Sequence, residues 1–427
     1  MKDLLGNNFK VKKGKIMVTI ASYRDPELVP TIKDLISKAN NPDNLRICIA
    51  WQHSPEDKWD NLDEFKSDSR FHILDIKANS SHGVCWARSL FNELYKGEEY
   101  TLQLDSHHRF VEGWDTILID MYQSLKKESD RPLLTSYLAS YDPKNEDDKE
   151  AKAFSMKFDT WAPEGTVLFR SDTMERILGL NKPLKARFLS GHFIFTDGEF
   201  VRNVPYDPQL YFHGEEITMA VRAFTHGYDL YHPHIPVAFH EYTREGRVKH
   251  WDDHEKWHEL NGHALDRMKK ILGIDNIQCS PCMKKSLGDY YIGNERSIRE
   301  YEEYAGIVFK NRSVTQYTQE NLPPPNPPFE YEKDFKQRYI WNITFDADRL
   351  EGITDYDLWA VILQNEYGHE IHRQDFDKDT LNLIISKEGQ KEINLNGAYM
   401  GNEPHTKWII WPHKDGKWLK QIKSNEN

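Results

Sequence analysis

In the stretch YTLQLDSHHRF, residues 100–110, an alternating strand pattern runs into a carboxylate and two imidazoles. On an extended chain residues two apart face the same side, so Asp105 and His107 can meet one ion while Ser106 faces away. A carboxylate with an imidazole suits Mn²⁺, and also Zn²⁺ or Fe²⁺, whereas carboxylates alone favour Mg²⁺ or Ca²⁺. The same triplet is also common in plain surface turns. A third ligand is on offer in HEYTR, where His240 ends the apolar run VAFH. A strand end of the same sheet reaches the same rim, although a core or supporting histidine reads the same way.

Two further clusters bear on charge. In FHGEE, Gly214 permits an unusual backbone turn before Glu215 and Glu216 open a helix. The helix dipole favours acidic residues there in any case, so one glutamate does only that and the other is free to hold sugar or acceptor hydroxyls. In SSHGVCWARSLFNEL, Gly83 lets the backbone come close before a helix, and Arg88 lies one turn inside it, where a guanidinium can pair with a diphosphate. Neither the G-x-x-x-x-G-K-[ST] nor the G-x-G-x-x-G spacing is present. Diphosphate charge must therefore be met by a metal and isolated arginines.

These clusters need a scaffold that brings them to one edge. KIMVTI, LRICIA, FHILDI and YTLQLD read as short buried strands, separated by helical spacing in PELVPTIKDLISKAN and CWARSLFNELY. Such alternation predicts an α/β fold with a mostly parallel sheet, and ligands then sit beyond the carboxyl ends of its strands. ASYRD, WQHS and DSHH all lie at such ends. We expect a catalytic domain over residues 1–255, a helical extension over 256–320 and an extended linker over 321–334, where five prolines fall within eight residues. Over 335–427, YIWNITFDA, DLWAVILQN, TLNLIISK and TKWIIWPH predict a small all-β, sandwich-like domain.

A chain of 427 residues with net charge −12 has no concentrated basic footprint, which argues against a nucleic-acid polymer as partner. No window approaches the roughly 20 apolar residues of a membrane span, so no transmembrane segment is expected and the reading is cytoplasmic. The four cysteines do not outline a disulfide framework. Cys279 and Cys282, with His258 and His263 upstream, sketch a zinc clip, but a lone C-x-x-C reads equally as reduced thiols. Trp86 and Trp114 read as packing; Trp161, in TWAPEG, is a candidate for stacking on a sugar.

Taken together, VTIASYRDPEL, the run from ANSSHGVCW to DSHHRFVEGWD, the run from FLSGHFIF to FHGEEITMAVRAFTHGYDLYHP, and VAFHEYTR resemble GT-A fold glycosyltransferases. More closely, they are similar to the cytoplasmic polypeptide N-acetylglucosaminyltransferases that modify hydroxyproline on Skp1. A more distant similarity is to the polypeptide N-acetylgalactosaminyltransferases, whose D-x-H, G-G-L-F-like stretch, W-G-G-E and later histidine follow in the order of DSH, SGHFIF, FHGE and AFHEYTR here. Phe212 and His213 stand where that pattern has tryptophan and glycine, and the C-terminal β domain lies outside the resemblance.

The resemblance implies a metal-dependent enzyme that moves a sugar, most nearly GlcNAc, from a UDP-sugar to a hydroxyl of a protein or glycan acceptor. It implies uridine and ribose contacts from Thr19, Ser22 and Arg24, and Mn²⁺ held by Asp105, His107 and His240. Gly83, Arg88 and Arg244 would serve the diphosphate, Gly191 and His192 the sugar, and Glu215, or Glu216 in its place, the hydroxyls. Retention by front-face attack, with the departing phosphate as base, follows from the same resemblance. A carbohydrate-binding scaffold on a decayed transferase domain and a UDP-sugar hydrolase are the rival readings.

Overall fold

The computed structural model describes residues 10–146, 149–175, 177–243, 246–329, 337–385, 390–401 and 403–424. Contacts divide the chain into two compact units, Met1–Lys310 with Tyr317–Pro327, and Asn311–Gln316 with Pro328–Asn427.

In the first unit the elements run β1 (Lys12–Tyr23), α1 (Leu28–Ser37), β2 (Leu45–His53), β3 (Phe71–Lys77), α2 (Val84–Ser89), β4 (Glu98–Asp105), β5 (His108–Phe110), α3 (Trp114–Leu125), β6 (Pro132–Thr135) and β7 (Ala139–Ser140). They continue through β8 (Phe154–Trp161), β9 (Val167–Thr173), β10 (Leu184–Lys185), β11 (Phe193–Asp197), α4 (Phe200–Asn203), α5 (Glu215–Thr225), β12 (Asp229–His232) and β13 (Ala238–His240). Helices α6 (His250–Asp253), α7 (Trp257–Leu272), α8 (Pro281–Leu287) and α9 (Ile298–Ala305) follow.

An eight-stranded sheet has the order β10-β12-β6-β11-β4-β1-β2-β3. β1 is parallel to both β2 and β4, and β2 to β3, while β11 runs antiparallel between β4 and β6. This is the mixed, mostly parallel α/β architecture expected of the sequence. The run Ile16 to Ile20 is buried throughout because β1 is covered on both faces. Ile16, Val18 and Ile20 join Ile32, Leu35, Trp114 and Leu118 on one side, while Met17 meets Ala87, Phe91 and Tyr95 on the other. Strand order reverses at β1, leaving a crevice past the ends of β1 and β4, where Ala21 is opposite Asp105.

A second, three-stranded sheet, β5-β13-β7, stands beside that crevice. Its antiparallel register sets His240 opposite His108. No helix among the described residues is long and apolar enough to cross a membrane.

In the other unit, strands Gln337–Asp346 and Glu392–Gly401 pair, and Leu358–Gln364 lies between Glu370–Asp377 and Lys407–Lys414. Trp341, Ile343, Leu395, Trp359, Val361, Phe376 and Ile410 fill one core between these two sheets, a sandwich-like arrangement. TLNLII of the expected strand TLNLIISK is helical, its last two residues lying outside the described residues: Lys378–Ile385 is started by Asp377, whose carboxylate accepts from the Thr380 amide at 2.9 Å, and anchored by buried Leu381. The expected strands over YIWNITFDA, DLWAVILQN and TKWIIWPH are present.

Candidate active site

The turn that ends β4 carries the first two ligands. Thr31 of α1 pins that turn from behind: its hydroxyl donates to the Ser106 carbonyl at 2.9 Å and accepts from the His108 amide at 2.9 Å. With the turn fixed, Asp105, His107 and His240 each place one donor atom within 4.8 Å of the others. Asp105 Oδ2 is 3.9 Å from His107 Nε2 and 3.6 Å from His240 Nε2. Both imidazoles are buried, while the Asp105 carboxylate faces the cavity. One carboxylate and two imidazoles are the donor set that Mn²⁺ accepts.

Asp25, with its side chain fully buried, lies behind His107 and takes the Nδ1 proton at 2.7 Å. It also accepts from Ser106 Oγ at 2.7 Å and from Arg247 Nη1 at 3.0 Å. Burial opposes its charge, but His107 and Arg247 outweigh burial and hold the carboxyl well below the usual range. Nothing in the sequence singled out Asp25 beyond its place in SYRD, and Arg247 is 222 residues away in the chain.

Arg88 is buried between carboxylates. Nη2 donates to Asp105 Oδ1 at 2.6 Å, and Nη1 bonds Glu215. Burial raises the Asp105 pKa and Arg88 and the neighbouring imidazoles lower it more, so it stays ionised. Glu215 also accepts from Tyr206 Oη at 2.9 Å and from the Cys85 thiol at 3.4 Å. Glu216 accepts from the Gly191 amide at 2.9 Å and from Tyr137 Oη at 2.7 Å, and burial pushes its carboxyl up to about 7. His192 stacks on His240, ring centroids 4.0 Å apart, and burial first, then the His240 charge, holds it neutral.

A cavity of about 520 Å³ joins these groups. Gly83, Arg88, Asp105, His107, Gly191, His192, Glu215, Glu216 and His240 all line it. Gly83 has φ +103°, and a Cβ there would lie 2.8 Å from the Tyr211 ring, so the close approach requires glycine. Thr19, Ser22 and Arg24 are not among the lining residues: Thr19 is buried deeper in β1, opposite Cys48, and Ser22 is buried on the other side of the strand from Ala21 and Tyr23. Arg24 is bound to Asp57 at 2.6 Å and to Asp253 at 2.9 Å. Arg244 lies outside the described residues.

In their place the strand ends present Ala21, Tyr23 and Gln52, and the segment after β13 adds Lys249, His250 and Trp251. The polar clusters at strand ends, ASYRD and WQHS, were the available signal for Tyr23 and Gln52. Phe212, at the departure from the W-G-G-E pattern, is 44% exposed on the cavity wall and meets Trp251, ring centroids 5.7 Å apart. Trp114 and Trp161 are buried, so Trp161 packs in the core and offers no face to a sugar. Among the described residues the triad is the one group of three or more metal-ligating side chains found, and Cys279, Cys282, His258 and His263 do not gather. All four cysteines are free.

A crevice at a strand-order reversal is where open α/β sheets bind their ligands, and here its rim carries a carboxylate and two imidazoles. Residues 15–72 and 61–311 match the glycosyltransferase (GlcNAc) family, and the chain belongs to that family. No curated protein matches the chain. Among solved structures it is similar to GalNAc-T7 with UDP, GalNAc and Mn²⁺, at 14% identity and TM-score 0.44 over 67% of this chain and 56% of that one. The chain thus spans just over half of GalNAc-T7. It is also similar to S. aureus TarS 1-349 in complex with UDP-GlcNAc, at 13% identity and TM-score 0.36 over 60% of this chain and 70% of that one. S. aureus TarS in a further structure is matched over 96% of this chain and 77% of that one, at 11% identity and TM-score 0.36.

Proposed function

We propose that the protein is a metal-dependent, retaining glycosyltransferase that moves a sugar, most nearly GlcNAc, from a UDP-sugar to a hydroxyl of a protein or glycan acceptor. The observation that carries the reading is the gathering of Asp105, His107 and His240 within 4.8 Å on the floor of the cavity, beside Arg88 and Glu215. These three residues would hold Mn²⁺, which when bound supplies Lewis-acid stabilisation of the departing diphosphate.

Tyr23, Gln52 and Gly83 wall the end of the cavity where the strand ends gather, and the uridine belongs there. Thr19 and Ser22 support that strand end from within, and Arg24 ties it to α6 through Asp253. Arg88 keeps Asp105 ionised and oriented, so its part in diphosphate binding is exerted through that carboxylate. Gly191 and His192 bound the sugar, and the His192 ring, stacked against His240 and Tyr137, is kept neutral by burial. Arg244 is kept as a diphosphate contact by resemblance alone.

Glu215 is engaged by Arg88, Tyr206 and Cys85, and its ion pair with Arg88 lowers its nucleophilicity toward the anomeric carbon. Front-face reaction needs no protein nucleophile, because a departing phosphate oxygen takes the acceptor proton. Glu216, bonded to Tyr137 and with its carboxyl raised by burial to about 7, would orient the acceptor hydroxyl in its ionised form.

The test is a donor screen: purified protein with Mn²⁺ and each common UDP-sugar, following UDP release and free sugar, with Asp105→Ala and His240→Ala as controls. Manganese-dependent turnover of UDP-GlcNAc, lost in both variants, is expected. Turnover of none, with intact folding, sinks the reading.

A further inference from the structure

The two imidazoles of the triad come from distant parts of the chain, and a metal site needs both held at fixed angles. For His107 the support is direct: Asp25 takes its Nδ1 proton, which fixes the tautomer and turns Nε2 toward Asp105. For His240 the support comes through its chain neighbour. The Glu241 amide donates to the His107 carbonyl at 3.2 Å, tying the two ligand segments backbone to backbone. The Glu241 side chain, 6% exposed, bonds Arg247 Nη2. Arg247 Nη1 donates at 3.0 Å to Asp25, the carboxylate behind His107. One guanidinium therefore closes a ring from His107 through Asp25, Arg247 and Glu241 back to the His107 carbonyl.

Resting on the metal-dependent reading above, we infer that Asp25, Arg247 and Glu241 are positioning residues that lock both histidine ligands to one another before any ion arrives. The fork geometry of arginine is what the arrangement uses. Two nitrogens of one planar group reach two carboxylates on different segments, which a lysine ammonium cannot reproduce. Arg247 carries one positive charge against two carboxylates, so the ring leaves net negative charge behind His107 and makes its Nε2 a stronger donor. Arg247 also precedes Lys249, His250 and Trp251, which line the cavity, so the same contact sets where that segment enters the wall.

A structural ion pair alone would stabilise the fold and leave metal affinity untouched, which separates the two accounts. Wild type, Asp25→Asn, Arg247→Lys and Asp105→Asn are each titrated with Mn²⁺ alone, following the free-ion electron paramagnetic resonance signal. Electron spin-echo modulation counts the bound imidazoles, and thermal melting reports folding. Wild type is expected to bind with two coupled imidazoles, and Asp25→Asn and Arg247→Lys with about 10- to 100-fold lower affinity and one disordered coupling at a temperature where melting shows them folded, the altered buried pair lowering the melting temperature itself. If Asp25→Asn does not fold, Arg247→Lys decides. Wild-type affinity and two couplings in Arg247→Lys or folded Asp25→Asn, with binding lost in Asp105→Asn, overturn the positioning role alone. Failure of wild type to bind Mn²⁺ overturns the metal reading and the positioning role with it.

Discussion

The Arg88 guanidinium donates to Asp105 Oδ1 across 2.6 Å while only 3% of its side chain is exposed. Its other terminal nitrogen holds Glu215, 5% exposed, so one cation pairs with two carboxylates. Replacing Arg88 by Met leaves both without their partner, and breaking a buried pair from one side costs about 3–5 kcal/mol. Chemical denaturation of Arg88→Met should show a loss of that size. Arg88→Met with Asp105→Asn should lose less than the sum of the two single changes. Additive losses would mean that the two groups do not depend on each other.

Gly191 leaves room that no other residue can. A Cβ built there would lie 2.7 Å from Glu215 Oε1 and 3.1 Å from Arg88 Nη1, both side chains held by several partners. Gly191→Ala must push this pair aside, with overpacking costs of about 1–3 kcal/mol. The displacement falls where the sugar is proposed to bind, away from Tyr23 and Gln52. Turnover of the UDP-sugar should therefore fall by more than the affinity for UDP, measured by calorimetry. Equal losses in both would move the sugar elsewhere in the cavity.

Glu216 titrates where enzymes work. Its carboxyl is pushed up by burial to about 7, so it is protonated below that pH and ionised above it. If the ionised form orients the acceptor hydroxyl, kcat/KM should rise through about pH 7 in the wild type. Glu216→Gln should flatten that limb, since its side chain cannot ionise. A rise that persists unchanged in the variant would assign the titration to another group.

Much of the fold could be read from the chain because parallel strands buried on both faces leave continuous apolar runs, and their polar residues collect at the ends. That is why DSHH, SYRD and WQHS stood out, and why His240 at the end of VAFH was a reasonable third ligand. The partners of those residues were not legible. Asp25 and Arg247 meet across 222 positions, and nothing local in RVKHW says that its arginine turns back toward β1. Thr19, Ser22 and Arg24 belong to one motif, yet Thr19, on the face of Ala21 and Tyr23, lies too deep in the sheet to reach the cavity, Ser22 points to the opposite face, and Arg24 leaves the strand with φ +45°. TLNLIISK shows the limit of short apolar runs, which suit a strand and a helix equally until the carboxylate of Asp377 starts the turn.

Buried histidines set how the protein responds to acid. His232 is 3% exposed, its Nδ1 donates to the Thr135 carbonyl at 2.7 Å, and its Nε2 accepts from the Met156 amide at 3.3 Å. Burial pushes its pKa down to about 4, below the 6.5 of an unfolded chain. A depressed histidine contributes stability that is present above the unfolded value and lost as pH falls toward the folded one, because the unfolded chain takes up the proton first. Between pH 7 and 5 the loss from this one group is about 2 kcal/mol, from 1.5 pH units at about 1.36 kcal/mol each. His108 and His192 act in the same direction, whereas Glu216 and Asp60, raised by burial to about 7 and about 6, act against them. The difference between wild type and His232→Gln isolates one contribution from that mixture, since the amide can keep a donor and an acceptor without titrating. Denaturant unfolding at pH 7 and pH 5 should show the wild type losing about 2 kcal/mol more than the variant. An identical pH dependence in both would mean that His232 charges without cost in the folded protein.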